Sequence, residues 1–429
     1  MSNYMIMLEN HLTLAQNSAL ARVQEAAAEH GLNLFVTGSG IRDMIAGFGV
    51  QDLEFVIEGS AAKLARAIEA KGGATVTHSD DALKTATLAF DNGGETTIVM
   101  ARQERYPKPG SKPQVTPATL HEHLRSRDFT INAIALSLTR ASRGLLIDPN
   151  NGVSDLQTRE LRTISNYAFY DQPVRLLQLF RLKVRLGFNV AEKTWSQYKN
   201  AREAELEKYI RPEAFLRELQ EVARDPNPLE VLQAWDSEGL LARVGPAIAG
   251  PKLNVAGFSR LQKARQVIPF RGEIPIDDFS LFFYVLTEKM TPRERNEFVN
   301  LLGMDKETAD AWHKLEARSQ KLEKELTASS ITKASHIYKV LSKAPAEQAV
   351  FLLIKSTQRT APDRIRNYFG KYLPMAQEVS DRDVTGLTPG TPKFEKAKAE
   401  LIARKLDARP KRVPPEPTAA DPVGVPVAR

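Results

Sequence analysis

A glycine-rich turn followed by an acidic segment constrains this chain more than any other stretch. It reads Gly38-Ser39-Gly40-Ile41-Arg42-Asp43 and, after a short gap, Asp52-Leu53-Glu54-Phe55. Leu34-Phe35-Val36 reads as a strand ahead of the turn, residues 42–46 as a short helix, and Leu53, Phe55 and Val56 make the acidic segment a second strand. Side chains alternate along a strand, so Asp52 and Glu54 are expected on one face, where two carboxylates form a donor set for a divalent metal. Gly38 and its small neighbour Ser39 let backbone N–H groups approach phosphates, and Arg42 adds a forked phosphate donor. Together these are the parts of a metal-dependent nucleotidyl-transfer site. Each part alone is common, since Gly-Ser-Gly turns join many strands to helices and Asp-x-Glu is frequently a solvated strand face. The order and spacing carry the reading.

At 429 residues the chain exceeds one ordinary core, so roughly two to four domains are expected. It has no cysteine, which excludes disulfides and thiolate metal sites and suits a reducing, cytoplasmic setting. The first residues lack the basic start and apolar run of a signal peptide, and no run of about 20 apolar residues is present to cross a membrane. The net charge of +7 is compatible with a polyanionic partner.

The first third mixes strand-like and helix-like segments. Residues 61–70 read as a helix with Leu64, Ala65 and Ile68 inward. Residues 85–90 and 96–101 read as paired strands about the turn Asp91-Asn92-Gly93-Gly94. Residues 105–117, rich in Pro, Gly and Lys, read as a mobile loop. After about residue 145 helical periodicity takes over, through to about 375. Val174, Leu177, Phe180 and Val184 give an amphipathic helix with an arginine-rich opposite face. Residues 279–286 read as a buried helix and 314–326 as a charged, solvated one. From Arg409 onward the Pro- and Ala-rich composition reads as disorder.

Three later segments carry polar chemistry. Arg127-Asp128-Phe129-Thr130-Ile131-Asn132-Ala133 fits neither a clean strand nor a clean helix; its plainer reading is a helix start capped by Asp128. Asp148-Pro149 to Asp155-Leu156, then Glu160-Leu161-Arg162, forms a turn and a return segment. Asp171-Gln172-Pro173-Val174-Arg175 follows, with Gln178 and Arg181 along one side of the same helix. Such a row is able to face a base and a triphosphate, but a solvated helix face is the commoner meaning of a charge run. His313 and His336 are isolated and read as helix-surface residues.

The order of these segments resembles the bacterial class II tRNA nucleotidyltransferase (CCA-adding enzyme)/poly(A) polymerase family over nearly the whole chain. Gly38 to Asp43 matches the family's Gly-Gly-x-Val-Arg-Asp turn, and Asp52 with Glu54 its Asp-x-Asp pair. Ala101-Arg102-Gln103-Glu104-Arg105-Tyr106 matches Ala-Arg-x-Glu-x-Tyr, and Ser126 to Ala133 matches Arg-Arg-Asp-Phe-Thr-Ile-Asn-Ala. Asp148 to Leu156 and Asp171 to Arg175 match Asp-Pro…Gly…Asp-Leu and Glu-Asp-Pro-x-Arg. The resemblance also reaches Arg211-Pro212-Glu213 to Glu218-Leu219 and Asp383 to Gly390.

This resemblance implies an α+β architecture: a small α/β, polymerase beta-like nucleotidyltransferase head over residues 1–145, a helical neck over 146–210, a body over 211–330 and a tail over 331–408, with 409–429 disordered. It implies that Asp52 and Glu54 hold Mg²⁺. Gly38, Ser39, Arg42 and Arg127 would meet phosphates, and Asp128 and Asn132 the nucleotide sugar. Gln172, Arg175, Gln178 and Arg181 would serve the base from the neck. The implied reaction adds C and/or A from CTP or ATP to an RNA 3′ end, most naturally that of tRNA, with side chains as the template. A weakened RNA-binding relative and a small-molecule nucleotidyltransferase are the alternatives, and the oligomeric state is left open.

The departures from the family pattern bear on activity. Glu54 replaces Asp, Thr97 stands where many relatives have a third acid, and Ser126 replaces the first Arg of its pair. Gln172 replaces the Asp that would accept from a base amino group, and Gln178 replaces an Arg. An amide is able to flip and donate where a carboxylate only accepts. Looser choice between amino and keto bases is therefore expected.

Overall fold

Nearly continuous apolar runs mark strands buried on both faces, and two such runs form the middle of the sheet in the computed structural model, which describes residues 3–268 and 274–408. The strands are β1 (Leu34–Thr37), β2 (Leu53–Ile57), β3 (Ala74–Asp80), β4 (Thr85–Phe90), β5 (Glu95–Met100), β6 (Arg102–Arg105), β7 (Gln114–Pro117), β8 (Ala135–Ser137) and β9 (Leu146–Ile147). Seven of them form one sheet in the order β3-β4-β5-β2-β1-β8-β9. β1 runs antiparallel to β2 and β8, and β2 runs parallel to β5. On one face Phe35, Val56 and Val99 pack with Leu120, Leu124 and Ala133. The helices Leu14–Glu29 and Ala61–Ala70 pack on each other and on the sheet. Ala61–Ala70 buries Ala61, Leu64, Ala65 and Ile68, as its period requires, and the Ser60 side chain accepts from the Lys63 N–H at its start.

Four local expectations are corrected. Asp52 lies just before β2 and not on it, because the ladder begins at Leu53 opposite Thr96. The first helix after the turn starts at Ser39, three residues early, since Gly38 supplies the bend that lets it begin there. The segment 105–117 is not wholly loop: Arg105 and residues 114–117 close an antiparallel ribbon with β6, pairing Arg105 with Gln114 and Glu104 with Val115. The arginine-rich side of the helix Arg175–Leu186 is not solvated, because facing carboxylates make burial of Arg181 and Arg185 tolerable. The paired strands about the turn 91–94 are present as β4 and β5.

The remainder is helical apart from a short parallel pairing of Glu160–Leu161 with Asn189–Val190. Trp235, on the helix Pro228–Ser237, donates its indole N–H to the Leu177 carbonyl at 2.9 Å, fixing that helix on Arg175–Leu186. The apolar helix Asp278–Thr287 buries Phe282 and Phe283 beside Phe258 and Phe298. The helix Lys306–Thr327 carries an exposed Lys314–Asp310 pair. His313 lies against Trp312, and His336 contacts the Ser330 carbonyl.

The chain divides into two compact units. The first comprises Met1–Ser319 and Pro345–Lys355; within the described residues the second comprises Gln320–Ala344 and 356–408. In the second, Arg364 donates to the carbonyls of Leu326 and Ile331, and Ser335 ties to Asp407 at 2.7 Å. The helix Pro392–Asp407 continues helical structure beyond the expected limit near 375. The expectation for 409–429 lies outside the described residues.

The segment around Asp148 serves the head by holding the stretch 128–132. Asp148 accepts from the Gly152 and Val153 N–H groups at 2.8 and 2.9 Å, and Asp155 accepts from the Thr130 hydroxyl at 2.6 Å. Gly152 sits directly on this stretch, since a Cβ there would collide with the Thr130 carbonyl and press on Ile134. Gly152→Ala is expected to cost about 1–3 kcal/mol through overpacking, read as a lowered urea midpoint at unchanged slope. An unchanged midpoint would show that the contact yields freely.

Candidate active site

Two missing β-carbons let the turn approach the acidic segment. Gly38 takes φ 78°, and a Cβ there would lie 3.2 Å from Glu54 Oε1 and 3.1 Å from Arg127 Nη2. A Cβ on Gly40 would lie 3.0 Å from the Asp52 carbonyl. Ser39, half-buried, begins the helix between them. The β1–β2 register sets Thr37 opposite Glu54, and the Thr37 hydroxyl donates to Glu54 Oε1 at 2.8 Å. Arg127 Nη1 donates to the same oxygen at 2.6 Å. Burial raises the Glu54 pKa, but the Arg127 charge and the Thr37 hydrogen bond outweigh it and hold the carboxyl down at about 2. Asp52 is the more open carboxylate, its side chain 55 % exposed, with Arg224 at 3.4 Å.

These residues suit a hard divalent cation, which takes one or two carboxylates and completes its shell with water and phosphate oxygens. Glu54 Oε2 accepts no hydrogen bond among the described residues, and the absence of a side chain at Gly38 keeps the turn from pressing on the carboxylate. Thr97 stands in register opposite Glu54 across β2–β5, so this position supplies a hydroxyl. No cluster of three or more His, Cys, Asp or Glu suited to a metal occurs among the described residues.

Arg42 is turned inward. Its Nη1 donates to Asn132 Oδ1 at 2.9 Å and its Nε to Asp43 Oδ1 at 2.7 Å. Asn132 in turn donates to both Asp128 oxygens at 3.1 and 3.2 Å. On the other side Asp43 Oδ2 accepts from Arg185 at 2.8 Å, and Arg185 also donates to Asp225 at 2.8 Å. A continuous polar chain therefore runs Asp128–Asn132–Arg42–Asp43–Arg185–Asp225. It joins the sheet-bearing head to the helices Arg175–Leu186 and Pro212–Arg224 through side chains that are buried at every link but the half-buried Asp128.

The row expected for the base divides in two. Gln172 and Gln178 line a cleft of about 280 Å³ together with Glu104, Tyr106, Arg211 and Glu218. Gln172 Nε2 donates to the Tyr106 hydroxyl, which donates to Glu104. Gln178 donates to Glu218 Oε1 at 2.8 Å, and Arg181 takes the other oxygen of the same carboxylate at 2.9 Å. Arg175 and Arg181 are not among the residues lining the cleft; Arg175 is buried and donates to the Ala168 carbonyl at 3.2 Å. The site thus gathers Gly38, Glu54 and Arg127 closely, sets the Asp52 carbonyl beside Gly40 with its carboxylate toward Arg224, places Asp128 and Asn132 on the polar chain, and holds Gln172 and Gln178 in the cleft.

Thr37, Asp43, Arg185, Asp225 and Glu218 were not singled out from the sequence for a part in the site. Only the order of the strands shows that Thr37 meets Glu54, and nothing in sequence spacing pairs Asp43 with Arg185. Glu104 and Tyr106 sit in a motif quoted above, which was the available signal.

Two outcomes follow from these charges. Arg185→Ala leaves the buried Asp225 without its hydrogen-bonded cation and Asp43 with Arg42 alone, and is expected to cost about 3–5 kcal/mol, read by denaturant unfolding; a cost below about 0.5 kcal/mol, typical of surface changes, would sever the chain at this link. Glu54 has a folded pKa below its unfolded one, so its contribution is full above about pH 4.5 and is lost as pH falls through about 2. Without divalent metal, Glu54→Gln is expected to flatten the stability–pH curve in that window; an unchanged slope would remove the Arg127 pairing as its cause.

Residues 34–162 match the Poly A polymerase head domain. The chain is 28% identical over 344 residues to an A-adding tRNA nucleotidyltransferase of Aquifex aeolicus, covering 79% of this chain and 40% of that protein. It is 33% identical over 245 residues to an A-adding tRNA nucleotidyltransferase of Halalkalibacterium halodurans, covering 55% and 57%. It therefore spans about half the length of the curated relatives it matches. A solved CCA-adding enzyme in an apo form shares the fold, with TM-score 0.53 and 22% identity over 94% of this chain and 95% of that one. The chain thus carries a Poly A polymerase head domain over residues 34–162 and is similar to tRNA nucleotidyltransferases over a longer span.

Proposed function

We propose that this protein is an RNA 3′-end nucleotidyltransferase that adds C and/or A from CTP or ATP to tRNA, with Mg²⁺ as its metal and the cytoplasm as its compartment. The supporting observation is the meeting of Glu54 and Arg127 beside the cramped Gly38 turn, where a carboxylate and a guanidinium stand side by side against the backbone of the glycine. No helix among the described residues is long and apolar enough to cross a membrane. The division into head 1–145, neck 146–210, body 211–330 and tail 331–408 belongs to this proposal.

Asp52 and Glu54 would hold the metal, which when bound supplies Lewis-acid activation of the RNA hydroxyl and charge neutralisation on the triphosphate. Arg127 neutralises Glu54 in the resting protein, and a triphosphate offers it a second anion to bind. The Gly38–Ser39 backbone lies beside the same pair. Arg42 acts through Asn132: its buried hydrogen bond orients the amide that, with Asp128, meets the ribose. Gln172 and Gln178 present polar edges to the base, and Arg175, behind them, bears electrostatically on Glu104 and Tyr106. Positioning of this kind is the main protein contribution to phosphoryl-type transfer.

A weakened RNA-binding relative is the second reading, and the observation favouring it is Thr97 in register with Glu54. Incubation of tRNA with labelled ATP and CTP, followed by sequencing of the 3′ ends, separates the two. The proposal expects Mg²⁺-dependent extension that Asp52→Ala abolishes without loss of fold. It expects Glu54→Asp to stay within about tenfold of wild type, or ~1.4 kcal/mol in barrier; a much larger rise would mean that Glu54 impairs the site. tRNA affinity is expected to fall steeply between low and physiological salt as counterions are released. Salt-sensitive tRNA binding with no extension would leave the second reading, and neither binding nor extension would overturn both.

A further inference from the structure

The Gln172 amide ends a hydrogen-bond series whose direction is dictated by chemistry. Arg102 donates twice to Glu104 Oε1, from Nε at 2.9 Å and from Nη2 at 2.7 Å. The other oxygen, Glu104 Oε2, accepts from the Tyr106 hydroxyl, and that hydroxyl accepts from Gln172 Nε2. Burial raises the Glu104 pKa, but Arg102 and the Tyr106 hydrogen bond outweigh it, so the group is a carboxylate. An ionised carboxylate only accepts, and a phenol has one proton to give. That proton goes to Glu104, so Tyr106 faces Gln172 with lone pairs alone. Gln172 must therefore turn its NH₂ toward Tyr106, and a flipped amide would set an acceptor against an acceptor.

We propose that Arg102, Glu104 and Tyr106 form a proton-ordering relay that locks the Gln172 amide with its carbonyl oxygen free for the base, so that a neutral side chain discriminates as a carboxylate would. The inference rests on the reading above that Gln172 faces the incoming base. Gln172 lines the cleft, and its Oε1 has no protein donor among the described residues. A fixed acceptor suits the amino group of adenine or cytosine and opposes the carbonyl oxygen that uracil or guanine places there. This revises the looser choice expected from the sequence, where the amide was free to flip. Tyr106 and Glu104 are positioning residues in this arrangement, acting only through Gln172.

The test is equilibrium binding of the four NTPs by competition against a fluorescent nucleotide, with CTP compared to UTP and ATP to GTP so that ring size cancels. Wild type should favour the amino base in both pairs. Tyr106→Phe should lower each preference by about tenfold, the worth of one oriented hydrogen bond. Glu104→Gln, which frees the Tyr106 proton, should move the ratios the same way and covers the case in which Tyr106→Phe folds poorly. In a Gln172→Asp background Tyr106→Phe should leave the ratios unmoved, because a carboxylate has no orientation to lose; a general packing defect would move both backgrounds alike. Gln172→Asp by itself should change the wild-type ratios little. If Gln172→Ala alters the ratios while Tyr106→Phe and Glu104→Gln do not, the relay is overturned and the base-reading part of Gln172 stands. If none of the variants alters the ratios, Gln172 reads no base and the relay falls with it. Absence of NTP binding by the wild-type protein overturns the proposed function and the relay together.

Discussion

The helix that follows β1 comes within contact distance of the acidic segment, and everything at the site depends on that approach. A side chain at Gly38 or Gly40 would stand between 3.0 and 3.2 Å from Glu54, Arg127 or the Asp52 carbonyl. Glycine at Gly38 also meets the backbone demand of φ 78°. The turn is thus less a flexible loop than a spacer of minimum thickness. It lets a carboxylate, a guanidinium and open backbone occupy the same few ångströms, and those groups otherwise have no reason to meet.

Burial of arginine is the second theme. Arg42, Arg181 and Arg185 lie inside the protein, each matched to carboxylates or amides by forked geometry. Pairs of this kind add little net stability, but losing one partner is costly. Their value here is geometric. The chain from Asp128 to Asp225 crosses from sheet to helices without an apolar gap, so the orientation of Asn132 is tied to the placement of the helix Arg175–Leu186.

Much of the head was legible because its signals are local. Alternation found β4 and β5, the 3.6-residue period found Ala61–Ala70, and the glycine spacing found the turn. Period two found Glu54 on β2, but Asp52 lies before the ladder begins, so alternation alone does not set the two carboxylates on one face. What stayed hidden depends on partners distant in sequence. The arginine row of Arg175–Leu186 read most simply as a solvated face, because the carboxylates that bury it, Asp43, Glu218 and Asp225, sit on other elements. Likewise the loop-like composition of 105–117 concealed a ribbon, since Glu104 and Val115 pair across a segment that has no hairpin signature.

The contact between Arg127 and Glu54 also governs how the protein behaves when nothing is bound. Glu54 is only partly exposed, its side chain 31 %, and without a cation beside it the carboxylate would be a poorly compensated charge. Here the chain carries its own counterion, 2.6 Å away. The Glu54 charge is therefore compensated from within the chain, and β2 needs no bound cation to neutralise it.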